Sequence, residues 1–282
     1  MPIYLWLNNT HNIRRALSSR SGYLVRELVG FSLPDKDHIS ARAPQQHGAT
    51  YLNTFFRPRE CSMIIHVKGC NAADFQAKHR ALVRAMNPLD DCQLRIETDG
   101  GIRYTLNCRP VTAMETERLN AITSDILVQL IADDPFFHTP EEDEDFASAI
   151  VPGLLIPFVL PAVIRSGGQE ASITITNDGH ILTYPVITIN GPGTNPDIIN
   201  DTTGETLTVE EIVADGDTLT VDMGERTAII TGAGGAETNV LGSVSGTWWA
   251  LQPGTNAIRI TSEAVGAFTG IITYTERYLA VI

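Results

Sequence analysis

The sequence is poor in the residues that build catalytic and metal sites. Its 282 residues include only four cysteines, Cys61, Cys70, Cys92 and Cys108. They form no CxxC pair and match no zinc spacing, so they are expected to be reduced and mostly buried thiols. The seven histidines are scattered with no HExxH, and His66 and His79 read as partly buried structural groups. There is no GxSxG elbow, and Gly242-Ser243-Val244-Ser245-Gly246 resembles one only in composition. Gly232-Ala233-Gly234-Gly235 has no strand–turn–helix around it to cradle a phosphate, and reads as a hairpin tip. No cofactor or metal is expected. No run of about 18 uncharged apolar residues stands clear of Gly and Pro, so no membrane helix is expected. The N-terminal MPIYLWLNNT has no basic segment before an apolar run and does not read as a signal peptide.

Positive charge is scarcest in the second half. Residues 141–282 hold four arginines, no lysine and 19 acidic residues, while residues 1–140 hold 16 basic and 14 acidic residues. A break from +2 to −15 argues for two domains with different surfaces. So acidic a second domain repels polyphosphate, and the basic set of the first (Arg57, Arg59, Arg80, Arg84, Arg95, Arg103, Arg109) is interspersed with acids. Sequence-specific nucleic-acid binding is therefore not expected. With 43% hydrophobic and 19% charged residues, the chain can bury a core.

In the first half, Ile3–Leu7, Tyr23–Leu33, Thr50–Phe56, Cys61–Lys68, Cys92–Thr98 and Ile102–Asn107 read as strands. Cys61, Met63, Ile65 and Val67 give the fourth a clear period of two. Asn71 can cap a helix over 72–86, stopped at Pro88. Leu119–Ala132 favours a strand by its β-branched residues, although its length leaves room for a helix. Residues 34–48 read as one long polar loop, a length that often marks an interaction arm. Residues 141–168 read as a hinge: the acidic run Glu141–Asp145, then an apolar run broken by Pro152, Pro157 and Pro161, which forbids a helix or central strand. From Gln169 onward about nine short strands alternate with turns, among them Asp197–Asn200, Glu205–Val209, Thr218–Asp222, Thr227–Thr231 and Thr247–Leu251. This spacing predicts a β-sandwich or jelly roll.

Two patterns remain as binding or catalytic candidates. Asp215, Asp217 and Asp197 offer carboxylates for glycoside hydrolysis or for Ca²⁺, although acid–glycine pairs are also ordinary turn residues. Trp248 and Trp249, read as strand neighbours, are expected to split between core and surface, and an exposed one could stack on a sugar.

Three stretches together resemble the distal tail protein family of siphophages, the siphovirus tail component family. One is Phe56-Arg57-Pro58-Arg59 through the strand Cys61–Lys68 and the helix to Asn87-Pro88-Leu89. Another is Asp134-Pro135-Phe136-Phe137. The last runs from Asn177-Asp178-Gly179 through Pro185–Gly191 and Ile199–Gly204 to Trp248–Ile258. The resemblance implies a mainly β chain: an N-terminal β-sandwich or split barrel with one α-helix and a long arm loop, plus a C-terminal galectin-like or jelly-roll β-sandwich. It implies a ring-forming, tail-tube-like domain over 1–140 and an outer sandwich over 169–282; the acidic and Pro-rich linker over 141–168 is read from composition, and its apolar 151–164 segment and the strongly acidic second domain depart from the family. It further implies a virion protein assembled in the host cytoplasm and no catalytic residues. The implied homo-hexamer joins the tail tube protein to the tail hub, with an outer domain that can carry side-fibre or receptor-binding proteins or meet cell-surface glycans. Candidate inter-subunit contacts are Pro34, Asp35, Lys36, Asp37, His38, Arg42, Arg57 and Arg59; Trp248 and Trp249 are the candidates for outer-domain binding. The alternative is a carbohydrate-binding β-sandwich protein acting in host-surface recognition.

Overall fold

A computed structural model describes residues 4–9, 15–17, 22–89, 92–98, 101–111, 115–140, 142–147, 149–150, 169–263 and 267–281. The apolar proline-rich run 151–164 lies outside the described residues. The chain divides into two units: Met1–Pro140 with Arg277–Ile282, and Glu141–Glu276. The last residues, read from sequence as part of the second domain, therefore belong to the first.

The first unit is built on one curled sheet. Its strands are β1 (Tyr4–Asn9), β2 (Arg15–Leu17), β3 (Tyr23–Val29), β4 (Lys36–Ala41), β5 (Thr50–Phe56) and β6 (Arg59–Lys68). Helix α1 (Ala72–Ala85) is followed by β7 (Cys92–Glu97), β8 (Arg103–Pro110), β9 (Glu115–Arg118), β10 (Thr123–Ala132) and β11 (Phe137–His138). The sheet runs β2-β1-β7-β8-β10-β6-β3, and its two end strands approach each other, which gives the split-barrel character. β6 and β10 pair over ten rungs, from Thr123↔Lys68 to Ala132↔Arg59. Alternation decides the strand reading of β10: Ile126, Val128, Leu130 and Ala132 are buried while the residues between them are not. Cys61, Met63, Ile65 and Val67 of β6 enter the same core. α1 begins where Asn71 Oδ1 accepts from the Asp74 amide at 2.8 Å. Asp74 accepts in turn from the Cys70 amide and from Lys78 one turn on, so both sides of the helix start are satisfied. Phe75, Leu82 and Ala85 face the core. Gly69 precedes the helix because a Cβ there would lie 2.5 Å from the Phe75 nitrogen.

The second unit holds β12 (Glu142–Ala147), β13 (Ala149–Ile150), β14 (Gln169–Asn177), β15 (Val186–Asn190), β16 (Gly193–Thr194), β17 (Asp197–Asn200) and β18 (Glu205–Val209). These are followed by β19 (Ile212–Val213), β20 (Thr218–Asp222), β21 (Thr227–Thr231), β22 (Glu237–Asn239), β23 (Val244–Gly246), β24 (Gly254–Ser262) and β25 (Thr269–Tyr274). Two six-stranded antiparallel sheets, β12-β25-β15-β20-β21-β22 and β13-β14-β24-β17-β18-β23, enclose one core. Ile187, Leu219, Val221 and Ile272 fill it from one sheet, and Ile198, Leu207, Ile258 and Ile260 from the other. The acidic start of the sequence-defined linker is thus strand β12, paired with β25.

Buried asparagines lock the sandwich turns. Asn177 Oδ1 accepts from the Gly179 amide, Asn200 Oδ1 from Thr202 and Asn256 Oδ1 from Gln252, all at 2.9–3.0 Å. A buried amide side chain must be hydrogen-bonded, and these three spend theirs on backbone that no strand can satisfy.

The chain then returns to the first unit as β26 (Arg277–Tyr278), paired with β11 in the register Phe137↔Tyr278 and His138↔Arg277.

Candidate functional site

The most exposed apolar surface of the first unit is a two-stranded arm. β4 and β5 pair only with each other, with an irregularity between Ile39 and Ser40. All six residues of β4 are exposed. Ile39 (45%), Tyr51 (60%), Leu52 (58%) and Phe55 (54%) present large apolar side chains to solvent. Residues 34–48, read from sequence as one loop, are therefore a turn, a strand and the hairpin tip. An isolated hairpin is marginal in water, so this one needs other support.

That support is local. Arg57 pairs with Asp37 through both guanidinium arms, with Nε to Oδ2 at 2.7 Å. The hydrogen bond from Arg57 holds the Asp37 carboxyl below its ordinary range, and Asp37 raises Arg57 in return. Thr54 Oγ1 meets His38 Nδ1 and Tyr51 Oη, both at 2.7 Å. At the tip Arg42 Nε donates to Gln46 O at 3.0 Å, and the Gln46 side chain bonds Ala43 N and Thr50 Oγ1. At the base the Arg57 amide donates to Asp35 O, Pro34 is buried, and the Phe56 ring meets Phe136 edge-on at 5.4 Å. Beside the base opens a cleft of about 450 Å³ lined by Val29, Leu33, Glu60 and Val111 among others.

Arg59 corrects one sequence-based expectation. It is 2% exposed. Nε donates to Pro135 O at 2.6 Å, Nη1 to Gly30 O and Ser32 O, and Nη2 to Leu279 O. The guanidinium also lies 4.5 Å from the centre of the Phe137 ring. Its donors are spent inside the subunit, so it has no role at a surface. Pro34 is likewise part of the buried base. Asp35, Lys36, Asp37, His38, Arg42 and Arg57 are exposed on or beside the arm, though Asp37, His38, Arg42 and Arg57 spend hydrogen bonds within it. The exposed apolar residues Ile39, Tyr51, Leu52 and Phe55 were not singled out from sequence. The signal was available: β5 carries apolar residues on both faces, and a strand with one solvated face does not.

In the second unit Trp248 and Trp249 lie in an irregular segment after β23, not in a strand. Trp249 is 1% exposed and its Nε1 donates to Ile198 O at 3.1 Å. Trp248 is half-buried and packs against the sandwich core. Trp249 offers no free ring platform, while Trp248 is partly exposed. Asp215 and Asp217 sit in the turn before β20, where Asp217 Oδ1 accepts from the Ala233 amide at 3.0 Å. Asp197 accepts from the Thr208 hydroxyl at 2.5 Å. The glycine run at 232–235 is the β21–β22 hairpin tip, closed by Gly232 N to Ala236 O. Among the described residues no group of three or more His, Cys, Asp or Glu side chains could hold a metal ion. No described helix is long and apolar enough to cross a membrane.

Residues 178–278 match the model of the siphovirus-type tail component, C-terminal domain. No curated protein matches the sequence. Among solved structures, the chain is similar to the SPP1 Dit (gp 19.1) protein, described as a hub adsorption apparatus of phages infecting Gram-positive bacteria. The TM-score is 0.69 at 14% identity, over 98% of this chain and 99% of that one. It is also similar to a chain of the phage P2 baseplate in its activated conformation with Ca, with a TM-score of 0.52 at 10% identity over 100% of both chains. At these identities the likeness concerns the fold.

Proposed function

We propose that this chain, whose second unit is a siphovirus-type tail component domain, is a distal tail protein. In this reading six copies form a ring joining the tail tube to the tail hub, and the second unit faces outward to carry fibre or receptor-binding proteins. As a phage tail component it is part of the virion. The observation that carries the ring is the arm β4–β5. It exposes four large apolar side chains on a hairpin that has its own hydrogen-bonded tip and an anchored base. Such a surface is costly unless covered. A heterologous contact, in which one copy's arm meets another face of the next copy, closes into a ring when the rotation permits. The role is structural, and the carboxylate candidates serve turns and strand pairing. With Trp249 in the core, the carbohydrate-binding alternative rests on the half-buried Trp248.

The test is the mass in solution of the full chain and of a Tyr51→Ser, Leu52→Ser, Phe55→Ser variant. These side chains are exposed, so the variant keeps its fold. The expected result is a species near six subunits for the parent and monomers for the variant. A ring unchanged by the three substitutions removes the arm from the interface. If the parent is monomeric alone, the same pair is compared for incorporation into tails assembled with the tube and hub proteins.

A further inference from the structure

Cys92 opens β7, Cys108 lies in β8, and the register places them directly opposite each other. Both are buried in the first unit's core, at 3% and 7% exposure, and both are free thiols. Residues facing each other on antiparallel strands have Cα atoms about 4.5–5.5 Å apart. A disulfide spans Cα separations of about 4.4–6.8 Å. Closing the bond therefore needs side-chain rotation and little movement of the strands. We propose that Cys92 and Cys108 are a redox pair that closes to a cross-strand disulfide when the folded protein meets a thiol oxidant such as a small-molecule disulfide.

The place of Cys92 at the end of its strand, with Cys108 inside β8, also sets the order of attack. The neighbouring Cys92 side chain and burial push the Cys108 thiol above its ordinary range. Cys92, at the open end of β7, is held lower by its Cys108 neighbour. Cys92 thus supplies the nucleophilic thiolate. It displaces one thiolate from the oxidant to give a mixed disulfide; Cys108 then attacks the Cys92 sulfur and expels the second. The protein loses two electrons, and its two thiol protons end on the two released thiols. Cys92 stands at the end of its strand, so fraying of that end gives the oxidant access without global opening.

The other thiols lack this arrangement. Cys61 faces Leu130 on β10, donates to Gly30 O at 3.5 Å and is pushed up to about 11 by burial. Cys70 is exposed in the turn before α1. The biological consequence rests on the tail reading. The pair stays reduced during assembly in a cell, and closes after release into an oxidising medium.

The experiment uses the full chain carrying Cys70→Ser, which removes the exposed thiol. The folded protein is incubated with oxidised glutathione, then denatured, alkylated and analysed by intact mass and peptide mapping. Before alkylation the mass is expected to fall by about 2 Da, the two hydrogens lost on closure. One thiol, Cys61, should remain to alkylate in place of three, and one cross-linked peptide should join Cys92 to Cys108. Dithiothreitol restores three thiols. Three alkylatable thiols after prolonged oxidation overturn the proposal, as does a glutathione adduct that never closes or a bond involving Cys61. Adding Cys108→Ser is expected to stop the reaction at the Cys92 adduct. The parent measurement decides the proposal even if that variant misfolds.

Discussion

The two units solve the surface problem in opposite ways. Among the described residues the first exposes twelve large hydrophobic side chains and the second five. Residues 141–276 carry three arginines against 19 acidic residues, a net charge of −16, whereas residues 1–140 are close to neutral. In the second unit the sheet β12-β25-β15-β20-β21-β22 contains no basic residue. Several of its outward positions are threonines, among them Thr188, Thr220, Thr227 and Thr273. A near-neutral surface with exposed aromatics favours association, and a strongly charged, hydroxyl-covered one resists it. The contrast agrees with a first unit that assembles and a second that stays accessible.

The contrast can be broken from either side. Trp249→Ala removes the largest buried side chain of the sandwich and leaves the Ile198 carbonyl without its donor. It is expected to cost about 3–5 kcal/mol, lowering the second unit's calorimetric transition and leaving the first in place; joint movement of both transitions would contradict two separate cores. Arg59→Met acts on the other unit. It strips donors from four carbonyls, all of them in connecting or returning segments, at about 1–3 kcal/mol for each left buried and unpaired. A net loss near 3 kcal/mol confined to the first unit is expected, together with protease sensitivity at residues 277–281. A drop of less than about 1 kcal/mol would mean that water replaces the guanidinium.

Salt gives a smaller and graded effect. Raising ionic strength from about 0.01 to about 1 M shortens the screening length from about 30 to about 3 Å. The second unit's melting temperature should rise with salt and the first's should hardly change; equal shifts would mean that self-repulsion is not what separates them. The smallest effect is in pH. Burial pushes the Asp134 carboxyl up, but the hydrogen bond to His138 and the charge of Arg277 outweigh it and hold the group below its ordinary value. A depressed folded-state value means the contribution is whole above the unfolded carboxylate range and is lost as pH falls through the folded one. The site is partly solvated, so Asp134→Asn is expected to flatten acid unfolding of the first unit by less than about 1 kcal/mol. An unchanged acid limb would remove Asp134 from the titration.

Much of the fold was readable, and the exceptions have physical reasons. The boundaries of β17, β18, β20 and β21 follow from apolar alternation between turn residues. β4, Lys-Asp-His-Ile-Ser-Ala, has no buried face and hence no period-two signal to read. β12 reads as a solvated acidic run because its pairing with β25 is a contact between distant parts of the sequence. Thr247–Leu251 has strand composition, yet Trp249 is drawn into the core by packing and not by a ladder, so the segment stays irregular. Arg59 misleads because arginine is seldom buried, and its acceptors are carbonyls as remote as Leu279, which no local pattern reveals. The arm was legible as a segment of unusual length, but its exposed apolar residues lie on β5 as well, outside the polar stretch that drew attention.

The return of the chain beside β11 has a mechanical consequence. The second unit is joined to the first at the same end of one short ladder, through His138 and Arg277. Tension on the second unit therefore loads that ladder one rung at a time, as in a zipper, and the first rung to feel it is His138–Arg277. That rung is the reinforced one: Asp134 receives a hydrogen bond from His138 at 3.0 Å and an ion pair from Arg277 at 3.3 Å, and the Arg277 guanidinium lies 4.4 Å from the centre of the Phe136 ring. Behind it, Tyr278 meets Tyr104 edge-on at 5.1 Å and Arg59 grips Leu279. The strongest fastening thus lies where a pulled thread would begin to unravel.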